Sequence, residues 1–325
     1  MFALRRRLLI AGGCLVPLRL GAAGPAWPTA PVRLVVPFGA GGAIDTLARA
    51  VANAFPPYSN GQPIVVENRS GAGGTIAGLF VAQARPDGHT LMMADLGANA
   101  IGKLLQPSLP YDPATAFTPI THLVNLPLAL VVRADSRLAS LAGLLAEARQ
   151  APGRLTYASA GVGNLSHIVV ELMARRAGVR FTPVHYRSGA DVMRSVIAGE
   201  TDFGFPSVST ALPFLRDGKA KALAVGSAAP LAALPEVRPV ADLLPGFEVA
   251  IWHGIVGPAG MERSLVDRID EVFRAIITSP EVRSFVETRQ AADVVAAGPD
   301  AFAAFIARQI ALWEPVIREG GIRAE

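Results

Sequence analysis

Cysteine occurs once in these 325 residues, at Cys14. Because Cys14 falls in an N-terminal leader described below, the body of the chain has no disulfide, no thiol nucleophile and no cysteine metal site. The five histidines, His89, His122, His167, His185 and His253, form no H-x-x-x-H or H-x-H pair, so no local motif seats a metal. No later segment offers the roughly 20 uninterrupted apolar residues of a membrane helix. No glycine loop is followed by G-K-[ST], which excludes a P-loop. Heptads, low-complexity tracts and repeats of fixed period are missing too. What remains is a chain that is 51% hydrophobic and 17% charged, long enough to bury a large core in two domains.

The body also lacks a charge surplus. Residues 1–26 carry Arg5, Arg6 and Arg7, an apolar stretch from Leu8 and small residues around Gly21-Ala22-Ala23, the pattern of a secretory signal peptide with cleavage between Gly21 and Trp27. Arg5-Arg6-x-Leu8-Leu9 also fits a twin-arginine signal. The formal net charge of +4 comes from the leader's four arginines; the remainder has 26 basic and 26 acidic residues, so net charge gives no support to nucleic-acid binding. Periplasmic localisation is the expectation.

The most informative stretch runs from Arg33 to Ala52, RLVVPFGAGGAIDTLARAVA. Leu34-Val35-Val36 reads as a buried parallel strand stopped by Pro37. Ile44, Leu47, Ala48 and Val51 recur at helical spacing, and Asp45 sits where a carboxylate suits the positive end of the helix dipole. Between them, Phe38-Gly39-Ala40-Gly41-Gly42-Ala43 has few side chains to shield its N–H groups, and a helix start behind such a loop attracts anions. A tight βα turn alone would use the same glycines. The design recurs, however, at Ile64-Val65-Val66 with Gly71 to Gly74, and at Leu155-Thr156-Tyr157 with Ser159 to Asn164.

Further along, strands are expected at Pro63–Glu67 and Thr90–Ala94, with a helix at Thr75–Ala84. Leu126–Arg133 reads as a strand carrying the chain into a second domain. There the alternation restarts: helices near Leu141–Gln150, Leu165–Ala177, Asp191–Ala198 and Ala211–Asp217, and strands near Leu155–Ala158, Thr182–Tyr186, Asp202–Phe205 and Lys221–Gly226. After Phe247–Val256, two amphipathic helices, Glu262–Thr278 and Pro299–Arg318, return to the first domain. Strands alternating with helices imply parallel sheets wound on both faces.

A dinucleotide fingerprint fails, because Ile76 and Ile44 stand where the third glycine of G-x-G-x-x-G belongs. Ser159 follows a strand as a hydrolase nucleophile would, but Tyr157 occupies the place of the first glycine in G-x-S-x-G. His167, at the start of the helix behind the Ser159–Asn164 loop, reads equally as packed or as facing a cleft. Trp252 reads as a core anchor, and Glu67-Asn68-Arg69 as polar residues that order the loop after their own strand.

These motifs together resemble the Bug (TctC-like) periplasmic solute-binding proteins of tripartite tricarboxylate transport systems. The matching segments are VPFGAGGAIDTLAR (Val36–Arg49), GQPIVVENRSGAGG (Gly61–Gly74), ARPDGHTL (Ala84–Leu91), LTYASAGVGNLSH (Leu155–His167), VHYRSGA (Val184–Ala190) and GFEVAIWHGIVGPAG (Gly246–Gly260), in order along nearly the whole body. The resemblance implies an α/β, two-lobed, type II-like periplasmic binding protein, each lobe a parallel-rich sheet flanked by helices. Residues 27–125 plus 254–325 form lobe 1 and 126–253 form lobe 2, closing about strands near Leu126–Leu130 and Ile251–Gly254. It implies capture of a small carboxylate (dicarboxylate, acidic amino acid or aromatic acid) in the interlobe cleft, without catalysis, cofactor or metal, by a monomer serving TctA/TctB-type membrane subunits or a sensor kinase. The ligand residues it implies are Phe38, Ala40, Gly41, Gly42, Ala43 and Asp45 in one lobe. In the other they are Ser159, Gly163, Asn164, His167, Ser188, Gly189, Ala190 and Ser207.

The chain departs from the family's common residues at Pro206-Ser207 (often Asp-Asn), Arg187-Ser188 (often Lys-Gly) and Arg238-Pro239 (often Pro-Thr). Those departures bear on which ligand binds rather than on the fold. Backbone N–H groups at Gly41, Gly42, Ala43, Gly163, Asn164 and Gly189 are expected to hold the carboxylate, with Arg187 at the rim. The alternative, a secreted α/β enzyme acting on a small carboxylated substrate, needs a nucleophile, an acid/base pair or a metal at workable spacing, and the sequence displays none.

Overall fold

The computed structural model describes residues 27–186 and 188–323; the expected leader and Arg187 lie outside the described residues. Lobe 1 begins with β1 (Val32–Val36), α1 (Ala43–Ala54), β2 (Ile64–Asn68), α2 (Thr75–Ala82), β3 (Thr90–Ala94), the short α3 (Gly102–Leu105) and the long β4 (Phe117–Pro127). The chain then builds β5 (Ala129–Arg133), α4 (Leu141–Gln150), β6 (Thr156–Ser159), α5 (Leu165–Ala177), β7 (Thr182–His185), α6 (Gly189–Ala198), β8 (Phe203–Gly204), α7 (Val208–Arg216) and β9 (Ala220–Val225). It returns through β10 (Ala250–Pro258), α8 (Arg263–Thr278), α9 (Pro280–Arg289), β11 (Asp293–Ala297) and α10 (Pro299–Glu319).

Two sheets result, ordered β11-β4-β10-β3-β1-β2 and β7-β6-β8-β5-β9. Both are mixed. Pairing is parallel within β2-β1-β3 and β7-β6-β8, where helices connect the strands, and antiparallel wherever β4, β5, β9, β10 or β11 takes part. The direction of the crossing strands explains this. β4 runs parallel to β1–β3 and leaves at Pro127; only Leu128 separates it from β5, which starts the other sheet. β5 and β10 therefore run away from the junction, and the helix-connected strands run toward it.

Strands buried on both faces form because successive side chains alternate. Leu34 and Val36 of β1, with Leu91 and Met93 of β3, pack beside Leu47, Val51, Ile269 and Phe273 of α1 and α8. Val35, Met92 and Ala94 point the other way, into a core shared with Ala77, Val81, Phe302 and Trp313. Complete burial of side chains such as Leu47 and Val51 contributes about 1.5–3 kcal/mol each, which fixes α1 against the sheet and so fixes the loop before it. The second core continues without a break into the other lobe, through Leu165, Ile168, Val169 and Leu172 of α5. Helix α10 joins them: Arg175 of α5 donates to the Pro315 carbonyl at 3.0 Å and pairs with Glu319 at 2.6 Å.

Four elements differ from the sequence expectation, the short α3 (Gly102–Leu105) among them because none was expected between Ala94 and Leu126. β4 begins at Phe117, nine residues before Leu126, and the tail contains three helices and a strand rather than two helices. The expected helix ends at Thr278 as α8 does; Ser279 is extended, and Pro280 opens an additional helix, α9, that the sequence reading did not include.

Candidate ligand-binding site

Both sheets turn the carboxyl ends of their parallel strands toward the junction, so the loops after β1, β2 and β3 and those after β6, β7 and β8 meet there. In open α/β sheets that edge is where ligands bind.

In lobe 1, residues Gly39–Ala43 are exposed and Phe38 is half-buried. A Cβ built on Gly39 or Gly41 meets nothing within 4 Å. Gly42 caps α1 without a side-chain bond, and the N–H groups of Ala43 and Ile44 have no hydrogen-bond partner among the described residues. Asp45 lies beneath the loop, 1% exposed. Its carboxylate accepts from the Gly41 N–H at 2.8 Å, from Arg49 Nε at 2.9 Å and Nη2 at 3.0 Å, and from Asn68 Nδ2 at 2.8 Å. Asn68 Nδ2 also donates to the Phe38 carbonyl at 2.9 Å. Burial pushes the Asp45 carboxyl up, but the bonds from Arg49, Gly41 and Asn68 outweigh it and hold the group below its ordinary range.

Asp45, expected to face the ligand, is therefore a strut, and the Gly41 N–H is spent on it. Asn68, expected to order its own following loop, orders the one after β1. Below the junction, the Asp95 carboxylate accepts from the Gly97 and Ala98 N–H groups at 3.0 and 3.2 Å, and burial raises it to about 6. This turn leads into α3.

In lobe 2, Gly163 is buried and its N–H donates to His167 Nδ1 at 3.0 Å, while the Asn164 N–H bonds the Gly161 carbonyl at 3.2 Å. Two more of the expected donors are thus engaged internally. Asn164 Oδ1 caps α5 through the Ser166 N–H at 3.0 Å, Ser188 caps α6 through Asp191 at 3.2 Å, and Ser207 caps α7 through Thr210 at 3.3 Å. Those three side chains satisfy helix-start groups that α1 leaves open. Ser188, Gly189 and Ala190 approach Ser207: a Cβ on Gly189 lies 3.6 Å from Thr210 Cγ2, and Thr210 Oγ1 is 2.8 Å from Ser207 Oγ. Across the lobes, a Cβ on Gly163 falls 2.8 Å from Leu105 Cδ1 at the end of α3.

His167 is 6% exposed, with its ring stacked 6.2 Å from Tyr157 and edge-on to His185 at 4.8 Å. Burial, and secondarily His185, push it down to about 4. His185 is also lowered by burial, opposed by Glu171, whose Oε1 accepts from the Tyr157 hydroxyl at 2.7 Å. Ser159 Oγ lies 2.6 Å from His185 Nδ1, a serine–histidine contact that sequence spacing conceals. Ser159 is fully buried, so its oxygen is not presented to a substrate. Arg49, His185 and Leu105 are site residues to which the sequence reading gave no role, and Asn68 acts at a different loop from the one expected.

A family model described as the tripartite tricarboxylate transporter family receptor matches residues 47–322. The chain belongs to this receptor family. Among curated relatives of this receptor, a UPF0065 protein from Pseudomonas sp. strain P51 is 36% identical over 92% of this chain and 89% of its own length. BugT of Bordetella pertussis is 31% identical over 91% of each. Among solved structures, R. palustris Rpa4515 with adipate superposes with a TM-score of 0.80 at 32% identity, covering 91% of this chain and 99% of that one. MatC from Rhodopseudomonas palustris with bound malate gives 0.77 at 31% identity, covering 90% and 100%. The receptor thus has the periplasmic binding-protein fold, two mixed sheets with flanking helices.

Proposed function

We propose that this receptor captures a small carboxylate in the cleft between its lobes and releases it unchanged. The observation that carries the reading is the bare start of α1: an exposed glycine loop, open space at Gly39 and Gly41, and N–H groups at Ala43 and Ile44 without partners among the described residues, all at the carboxyl edge of the parallel strands. Hydrogen bonds to a charged acceptor contribute roughly 1.5–3 kcal/mol each, so two or three are compatible with micromolar binding after the cost of association. Relatives solved with adipate and malate make a dicarboxylate the first candidate. In this reading Phe38, Ala40, Gly42 and Ala43 touch ligand from one lobe and Ser188, Gly189, Ala190 and Ser207 from the other, whereas Asp45 and His167 act through the loops they hold.

The lobes are residues 27–125 plus 254–325 and 126–253, a division supported by the passage between sheets at Leu128 and before Ala250. The protein works in the periplasm, exported by the segment before Trp27, as a monomer that serves TctA/TctB-type membrane subunits or a sensor kinase. Trp27 itself belongs to the folded body, 3% exposed with Nε1 donating to the Gly88 carbonyl at 3.0 Å, which supports cleavage before it.

The test is native mass spectrometry of protein taken from the periplasmic fraction without refolding, followed by calorimetry with malate, adipate and aromatic acids. A retained or added carboxylate recovered intact supports the reading. Turnover of the acid, or no binding by any of them, sinks it.

A further inference from the structure

The imidazole that holds the Gly163 N–H must be unprotonated at Nδ1, because a protonated ring nitrogen donates and cannot accept. We infer that His167 is a positioning residue and acid-sensitive latch for the 160–164 loop: neutral, it clamps the loop through the Gly163 N–H; protonated, it releases it. The inference rests on the reading that this loop borders the ligand.

Three geometric facts support it. The bond from Gly163 to His167 is 3.0 Å and buried, so water does not substitute readily for the lost acceptor. Gly163 adopts φ +73° directly under Leu105, so the same residue fixes the loop and its contact with the opposite lobe. The His167 ring is boxed in by its neighbours: Tyr157 from β6 on one face and His185 from β7 at its edge. The charged and titratable groups facing this cluster are Tyr157, His185 and, one turn along α5, Glu171, which bonds Tyr157. No carboxylate bonds the His167 ring itself among the described residues, and its nearest titratable neighbour, His185, repels a second positive charge.

Acid favours the released state. Burial, with His185, pushes the clamped histidine down to about 4, and a released loop that lets water reach the ring brings it back toward the ordinary 6.5. Between pH 7 and pH 5 the released form gains protons that the clamped form does not, which raises the ratio of released to clamped loop by at most about 20-fold, the limit of a fully hydrated ring. In lobe 1 the equivalent Gly41 N–H is held by Asp45, already ionised across that range.

The experiment is NMR of the 15N-labelled protein with no ligand added. Expected are a His167 Nδ1 without a proton at pH 7 and a Gly163 amide protection factor that falls more than threefold, and at most about 20-fold, from pH 7 to pH 5, while that of Gly41 changes less than twofold. His167→Asn, which keeps an acceptor near the Nδ1 position but cannot protonate, retains protection at both pH values; His167→Phe loses it at both. A protonated Nδ1 at pH 7, or a Gly163 protection factor that does not change in the wild-type protein, overturns the inference, and neither depends on a variant folding. Calorimetry with malate and adipate separates this from the ligand reading. Absence of binding at pH 7 with the NMR result intact defeats only that reading. Binding whose pH dependence is identical in wild type and His167→Asn defeats the latch as a regulator of capture.

Discussion

Two loops of similar composition, Phe38–Ala43 and Ser159–Asn164, follow a strand and precede a helix, yet they are held differently. In the first, a buried carboxylate gathers Gly41, Arg49 and Asn68 and leaves the glycines facing open space. In the second, an imidazole holds Gly163, Asn164 caps the helix, and Leu105 of the opposite lobe closes over the glycine. Glycine-rich composition therefore predicts where a loop lies and not which of its N–H groups are free. One loop presents donors; the other has used most of its own to define its shape.

The contrast breaks most severely at Asp45. Asp45→Ala removes the acceptor of the Gly41 N–H and of Arg49 Nε, and since bonds to charged groups are worth about 1.5–3 kcal/mol, urea denaturation is expected to show about 2–3 kcal/mol of lost stability, together with at least tenfold weaker ligand binding. A variant with unchanged affinity would show that the strut is dispensable. Acid comes next. His122, His167 and His253 are each lowered to about 4, chiefly by burial, from an ordinary 6.5. The unfolded chain binds protons at these sites below pH 6.5 while the folded chain does not, so stability is full above that pH and falls as pH drops from 6.5 toward 4. Asp45, its folded pKa lying below 3.8, adds stability that persists through this window and is lost only at lower pH. Denaturation midpoints at pH 7, 6 and 5 check the sign.

Two glycines sharpen the comparison further. Gly41 and Gly163 both have positive φ, +87° and +73°, so alanine strains the backbone by about 1–2 kcal/mol at each. At Gly163 the new methyl also meets Leu105, and the loss there should exceed that at Gly41 until Leu105→Ala relieves it; equal costs in both backgrounds would remove the interlobe contact from the account. The smallest effect belongs to Gly39→Ala, which has neither positive φ nor a neighbour within 4 Å and should stay within about 0.5 kcal/mol in stability.

Much of this molecule was legible in the sequence, for a physical reason. Buried strands such as Leu34–Val36 and Leu91–Ala94 are apolar without interruption, and helices such as α1 show their buried stripe at fixed spacing. β4 was half hidden because Pro119, Thr121 and His122 interrupt its apolar run, although Thr121 and His122 are themselves buried. β11 is an edge strand with no fully buried residue, and its pairing with β4 breaks between Val294 and Ala297, where Ala296 has positive φ, so it lacks the buried apolar run of the inner strands. At the site, strand–loop–helix order located the loops, but the bonds that decide their chemistry join residues far apart in the chain: Asn68 to Asp45, His185 to Ser159, Leu105 over Gly163. Spacing along a sequence carries no trace of these, and so Asp45 and the Gly163 N–H read as ligand contacts when they are scaffolding.

Helix α10 adds something to capture itself. Chain crossings at Leu128 and before Ala250 alone would let the lobes swivel freely; α10, continuous with the lobe 1 core and fastened to α5 through Arg175, supplies a third attachment on one side. Three attachments leave the lobes fewer relative orientations than two, so closing on a ligand would forfeit less freedom.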